Sequence, residues 1–237
     1  MSRRAVILAG GKGTRLRPYT VVLPKPLMPI GDFPILEVIV RQLAQHGFGH
    51  ITMAVNHQAE IIKAFFTDGS KWGIKIDYSL EDQPLGTMGP LRLIDDLPED
   101  FLVMNGDVLT NLDYGRFHRE HAADRRLFTI SSKKRVETID YGVLEMDANH
   151  SLVGFREKPH ADYMVSMGVY MVNRTVLELV PENRPYGFDT LMLDMLAAGR
   201  QVIVKEFDGY WLDIGRPADY AKATEVFESM QSLFLNG

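Results

Sequence analysis

Leu8-Ala-Gly-Gly-Lys-Gly-Thr-Arg-Leu-Arg-Pro18, followed by Leu23-Pro-Lys-Pro-Leu-Met-Pro-Ile30, orients the reading of the whole chain. The run Arg4 to Leu8 ahead of it is apolar enough for a buried parallel strand, and it opens into Gly10, Gly11 and Gly13. Without a Cβ, glycine lets main-chain N–H groups approach a ligand, and successive N–H groups pointing one way form a concavity suited to phosphate oxygens. Arg15 adds a forked positive charge that matches phosphate geometry. Lys25 stands between Pro24 and Pro26. The following proline biases it toward extended backbone, so its ammonium is presented from a stiff segment.

Two commoner glycine-rich loops do not fit. A Walker A loop needs glycine where this chain has Val6, given the fixed spacing to the Gly-Lys pair. The dinucleotide fingerprint aligns with Gly11 and Gly13 but demands a small residue at Leu16 and a clean helix, where this chain continues through prolines.

The combined pattern Gly-Gly-x-Gly-Thr-Arg-Leu-x-Pro with a downstream Pro-Lys-Pro-Leu resembles the signature of the sugar-1-phosphate nucleotidyltransferases, or nucleotide-sugar pyrophosphorylases, and further matches recur to the C-terminus. The resemblance implies an α/β, Rossmann-like (GT-A-like) fold: a mostly parallel mixed sheet flanked by helices, with a small antiparallel sugar-binding lid.

Composition bounds the rest. A chain of 237 residues fits one large domain, 1–237, read as a nucleotide-binding βαβ part (1–125) and a sugar-binding, metal-completing part (126–237). A net charge of −5 argues against nucleic-acid or anionic-membrane partners. With no cysteine, disulfides, thiolate catalysis and Cys-based zinc drop out, and a reducing compartment fits. The opening Met1-Ser-Arg-Arg lacks signal-peptide architecture and no apolar stretch approaches spanning length, so a cytoplasmic protein is expected. The oligomeric state stays open, a homo-oligomer included.

After the loop, Asp32 is expected to cap a helix carrying Leu36, Ile39, Val40 and Leu43, with Gly47 in the left-handed position past its end. His50 to Val55 reads as a strand, Ala59 to Phe66 as a helix and Ile74 to Leu80 as a strand, which is βαβ alternation. His46, His50 and His57 have no metal-like spacing and are expected on the surface or at caps. Glu81-Asp-Gln-Pro-Leu-Gly-Thr-Met-Gly-Pro90 follows a strand end, where ligands of open α/β sheets bind. A helix is expected around Leu91 to Leu97.

Phe101-Leu-Val-Met-Asn-Gly-Asp107 is the next buried strand, ending in a carboxylate that needs a positive partner. Magnesium is the natural one, since it takes one or two protein carboxylates and completes its shell with water and phosphate. Asp113 reads as a helix cap before Tyr114 to Ala122. From Leu127 the pattern shifts to strands at Leu127–Ser132, Tyr141–Met146, Ser151–Arg156 and Met164–Val172, expected as a lid and not as further βαβ units. Leu177 to Val180 and Leu191 to Ala198 read as helices, Gln201 to Phe207 as a strand, and Pro217 to Phe234 as one amphipathic helix.

The resemblance also implies roles. Leu8, Ala9, Gly10, Gly11, Gly13, Thr14, Arg15, Gln83, Gly86, Thr87 and Asp107 would bind the nucleotide, with Glu81 or Gln83 reading base edges. Asn105, Tyr141, Gly142, Glu157, Lys158 and Ser166 would bind the sugar phosphate; Ser166-Met-Gly168 stands where many relatives carry Asn-Ala-Gly. Gly209-Tyr-Trp-Leu-Asp-Ile-Gly-Arg-Pro-Ala-Asp-Tyr220 matches the far end of the family's catalytic site, which makes Asp213 the second metal-binding carboxylate beside Asp107, for Mg²⁺. Arg15, Lys25, Asp107 and Asp213 would be catalytic. The implied reaction joins a nucleoside triphosphate to a sugar 1-phosphate. The motifs look most like guanylyltransferases making GDP-mannose or a GDP-manno-heptose, although Met88 replaces the frequent alanine near the base. A uridylyl- or thymidylyltransferase acting on glucose 1-phosphate is the alternative, and a non-catalytic subunit that binds nucleotide sugar is the rival from another class.

Overall fold

The computed structural model describes residues 3–56 and 58–235; His57 lies outside them. In the first half, strands β1 (Arg3–Leu8), β2 (Pro29–Ile30), β3 (Phe33–Pro34), β4 (Phe48–Val55), β5 (Lys75–Leu80), β6 (Asp100–Asn105) and β7 (Val108–Thr110) alternate with helices α1 (Ile35–Gln45), α2 (Ala59–Phe66) and α3 (Tyr114–Ala123). In the second half, β8 (Phe128–Thr138), β9 (Val143–Met146), β10 (Leu152–Arg156), β11 (His160–Asn173), β12 (Val202–Glu206) and β13 (Trp211–Asp213) are joined by α4 (Phe188–Ala197) and closed by α5 (Pro217–Phe234).

The central sheet runs β12-β8-β11-β6-β1-β4-β5. Only β11 opposes the rest: it is antiparallel to both β6 and β8, while the other neighbours pair in parallel. The mostly parallel mixed α/β sheet flanked by helices is therefore as expected. β1 is covered on both faces, its Ala5 and Ile7 entering one core with α1, α2 and α5, its Val6 the other with Leu91, Phe101, Tyr170 and α4; strands buried on both sides read as continuous apolar runs for this reason.

Several local expectations change. Asp32 does not cap α1: Gly31-Asp32 forms the turn between Ile30 and Phe33 of the β2–β3 hairpin, and extended Pro34 starts the helix. Gly47 does take left-handed backbone (φ +80°), and Asp113 caps α3 by accepting from the Arg116 amide at 2.7 Å. Leu91 to Leu97 is not a helix but a 3₁₀ turn, Gly89–Leu93, because Pro90 and Pro98 bracket too short a run. Leu177 likewise falls in a 3₁₀ turn, Arg174–Leu179. His50 is neither surface nor cap; it sits in β4, its Nε2 2.6 Å from Asp77, in a network with nearly buried Arg4.

The lid expectation needs the larger correction. β8 and β11 are long strands whose inner halves belong to the central sheet and whose outer halves, Lys133–Thr138 and His160–Ser166, project beyond it. Both parts of the division at residue 125 thus contribute strands to one sheet. Only β9 and β10 form a separate antiparallel hairpin. Burial gives the reason: Phe128 and Thr129 are buried, whereas residues 134–138 are exposed.

Candidate active site

β1, β4, β5 and β6 end at the same edge of the sheet, so Gly10, Asn56, Glu81 and Asn105 come together within a few residues of their strands. They line a cavity of about 490 Å³ with Gly11, Lys12, Gly13, Thr14, Arg15, Lys25, Gly86, Thr87, Asp107 and Gly215. The chain crosses from one side of β1 to the other between β5 and β6, and crevices of open α/β sheets form at such switch points.

The glycine loop and Lys25 are one unit. Gly13 has φ +59°, and a Cβ there would lie 2.9 Å from Thr20 Cγ2 and 3.0 Å from Lys25 Cβ; the missing carbon lets the lysine segment close on the loop. The Thr20 hydroxyl donates to the Gly13 carbonyl at 2.7 Å. Extended backbone falls on Pro24 and not on Lys25, which opens a 3₁₀ turn, Lys25–Leu27, closed by Leu27 and Met28 amides on the Pro24 and Lys25 carbonyls. From there the ammonium makes an ion pair with Asp107. Ala9 is buried, its amide donating to Ala54, so it serves the strand end and does not line the cavity.

Asp107 and Asp213, distant in sequence, are brought together by main chain. β13 pairs antiparallel with β7, setting Asp213 opposite Val108, and the Ile214 amide donates to the Asp107 carbonyl at 3.1 Å. The end of this ladder away from the two acids is held twice at Thr110: the Gln42 side-chain amide from α1 donates to the Thr110 carbonyl at 2.8 Å, and the Thr110 hydroxyl donates to the Tyr210 carbonyl at 2.8 Å. Desolvation first, and then the Asp107 charge, push the Asp213 carboxyl above its ordinary range, with Lys25 and Arg15 opposing. Asp107 Oδ1 is buried without a hydrogen-bond partner. Among the described residues no group of three or more His, Asp or Glu could hold a metal. A carboxylate pair with an unpartnered oxygen nevertheless suits magnesium, which leaves most of its shell to water and phosphate.

The loop after β5 is fastened to the approach to α4. Met88 and Gly89 amides donate to the Tyr186 carbonyl at 3.0 and 3.1 Å, Tyr186 returns its amide to Leu85 at 2.8 Å, and the Phe188 amide donates to Thr87 Oγ1 at 2.7 Å. Gly86 (φ +80°) is required by this seam, since a Cβ would lie 2.8 Å from the Tyr186 carbonyl oxygen. Gln83 is exposed, its amide on the Asn183 carbonyl, and it does not line the cavity. Met88 is fully buried in the core, not at the cavity wall, because the loop turns it inward against Leu91 and Tyr186. Glu81 is buried, its Oε2 accepting from the Leu85 amide at 3.0 Å, and burial raises its carboxyl. Asn56 is a cavity residue that the sequence reading missed; it carries a legible signal, following the β4 strand end as Glu81 follows β5.

The lid residues stay apart from the cavity. Tyr141, Gly142, Glu157 and Lys158 are exposed on the β9–β10 region, where the Phe155 ring occupies the space a Cβ on Gly142 would need. Lys158 takes φ +42° ahead of Pro159, a conformation disfavoured for a residue with a Cβ. The Ser166 hydroxyl donates to Tyr170 Oη at 3.1 Å and accepts from the Gly168 amide at 3.3 Å. Tyr170 in turn stacks on Phe188, centroids 4.6 Å apart, which connects Ser166 to the seam at Thr87.

The family model described as nucleotidyl transferase matches residues 4–229. The chain is 34% identical over 239 residues to a mannose-1-phosphate guanyltransferase of Yarrowia lipolytica, an alignment covering 97% of this chain and 65% of that protein. It is 33% identical over 241 residues to a UTP–glucose-1-phosphate uridylyltransferase of Synechocystis, covering 93% and 62%. The chain thus spans less than two thirds of the length of these curated relatives. Among solved structures it is similar to HddC from Yersinia pseudotuberculosis complexed with GMP-PN, with a TM-score of 0.71 and 28% identity over 96% of this chain and 100% of that one.

Proposed function

The chain belongs to the nucleotidyl transferase family, and from that premise we propose that it transfers a nucleoside monophosphate from a nucleoside triphosphate to a sugar 1-phosphate, releasing pyrophosphate. The observation that carries this reading is the convergence of Asp107 and Asp213 beside the glycine loop, Arg15 and Lys25. A sugar-phosphate oxygen attacks the α-phosphorus; the new P–O bond forms as the bond to the pyrophosphate oxygen breaks. The attacking phosphate is already ionised, so no general base is needed, and positioning with charge neutralisation supplies the catalysis.

Gly10 to Thr14 amides and Arg15 would hold the β- and γ-phosphates, Lys25 would stabilise charge at the α-phosphate, and exposed Lys158, with Glu157, Tyr141, Gly142, Asn105 and Ser166, would hold and align the sugar phosphate. Asp107 and Asp213 would hold Mg²⁺, which when bound withdraws charge from the α-phosphate and orients it. Until substrate arrives, Lys25 supplies the counter-charge for Asp107.

GTP with mannose or manno-heptose 1-phosphate is the favoured pair. The similarity to guanyltransferases and to HddC with its GMP-PN supports it. The uridylyl reading has its own support in the Synechocystis relative. A cytoplasmic setting accompanies this function, fitting a chain without cysteine. Pyrophosphate release across GTP, UTP, dTTP, CTP and ATP against mannose, glucose and manno-heptose 1-phosphates, with Mg²⁺, tests the proposal. A signal in the GTP row supports it; silence in every combination leaves the non-catalytic binding role in its place.

A further inference from the structure

β12 ends the central sheet, and no strand among the described residues pairs with its outer side. Open strand edges expose a row of main-chain donors and acceptors, which folded proteins commonly guard with charge or proline. Here the first three residues of the strand, Val202-Ile203-Val204, carry neither, and charge enters only at Lys205 and Glu206. The Phe207 amide donates to the Ser132 carbonyl at 2.8 Å and the Lys205 carbonyl accepts from the Ser132 hydroxyl at 3.1 Å. Odd-numbered residues therefore turn their main-chain groups toward β8, and Val202, Val204 and Glu206 turn theirs outward. α4, which packs against β12, leaves Leu193 67% and Leu196 68% exposed, and Val204 is 57% exposed.

We propose that β12 pairs antiparallel with β12 of a second copy of this chain, about a two-fold axis through Ile203, joining two sheets into one. In this register Val202 faces the partner's Val204 and the two residues exchange amide–carbonyl hydrogen bonds, while Arg200 faces the partner's Glu206. Symmetry repeats both pairings. The edge is thus self-complementary: valine opposes valine at its centre and a cation opposes an anion at each end. Arg200 already pairs with Glu178 of its own chain at 3.7 Å, a long and part-exposed ion pair that Glu206 of a second copy would join or replace. Centring the axis on Val204 instead would set Val202 against the partner's Glu206 and desolvate a carboxylate over a valine. A strand row alone falls short of the ~800 Å² per partner of a standard interface, and the exposed leucines of α4, on the helix packed against this strand, extend the apolar surface.

Sedimentation velocity of the full chain over a concentration series tests this. The expected result is a reversible dimer. Val204→Pro removes an outward donor and spares the ladder to β8, since proline is tolerated where an edge N–H faces solvent; it should weaken association by about ten-fold or more, as should Leu193→Glu. Glu206→Arg and Arg200→Glu should each weaken the dimer, by setting like charges opposite each other, and the double variant should restore it. A wild-type chain that stays monomeric at every concentration overturns the proposal. So does a dimer indifferent to Val204→Pro and Leu193→Glu, or a double charge swap that fails to restore association. Should Val204→Pro misfold by circular dichroism, the charge-swap pair decides, because both its side chains reach solvent.

Discussion

Asp213 meets Asp107 through main chain: the residue after Asp213 donates its amide to the carbonyl of Asp107 at 3.1 Å, within the β7–β13 ladder. The two carboxylates share a site because backbone register leaves them no alternative, and the repulsion between them is part of the folded state. A site that holds two like charges together responds measurably to pH and to the loss of either acid.

Replacing Asp213 by Asn should abolish turnover and yet stabilise the metal-free protein at neutral pH. The Asp213 carboxyl is raised in the folded state, so between its unfolded and folded values the folded chain binds more protons and stability falls as pH rises. The stabilising effect of Asp213→Asn should therefore be full above the raised value and vanish below the ordinary aspartate range. Thermal melts across pH check this. In the same melts Mg²⁺ should raise the wild-type midpoint and leave that of Asp213→Asn nearly unmoved. At subsaturating Mg²⁺ the rise in midpoint should fade on acidification sooner than an unperturbed aspartate would dictate, because the metal-free carboxyl takes its proton earlier.

Lys25→Ala should lower kcat by about 10²-fold, the usual cost of removing one stabilising group at a reacting centre. Lys25→Arg should recover part of it, because the cation returns with a different shape. Steady-state kinetics with saturating substrates measure this; an undiminished kcat in Lys25→Ala removes the lysine from the chemistry.

Gly86→Ala should cost roughly 1–3 kcal/mol of stability, the range for a residue forced into a sparsely populated conformation, since its Cβ would also meet the Tyr186 carbonyl. The KM for the nucleotide should rise with it as the seam to α4 loosens. Chemical denaturation and nucleotide titration read the two effects separately.

Met88→Ala should destabilise by roughly 2–5 kcal/mol, as other buried large-to-small changes do, and leave the order of nucleotide preference unchanged, because the side chain lies in the core and not at the cavity. A switch in preference among GTP, UTP and dTTP would place Met88 back at the base.

Much of this architecture is legible in linear order. Arg4 to Leu8, Phe101 to Asn105 and the helical spacing from Leu36 to Leu43 declare a layered α/β chain, since periodicity and burial are local properties of a strand or helix. The glycine loop, Lys25 and the strand-end position of Asp107 are legible too, because the chemistry is carried by contiguous residues. What folding alone supplied is everything that depends on register between distant segments. The main-chain route by which Asp213, named beside Asp107 by motif resemblance alone, reaches it, the seam that claims Gly86 and turns Met88 inward, and the division of β8 and β11 between sheet and lid rest on hydrogen bonds across many residues. No local pattern encodes those partners: shifting a strand by one residue reverses which side chains face the site, and that choice is made where segments pack together.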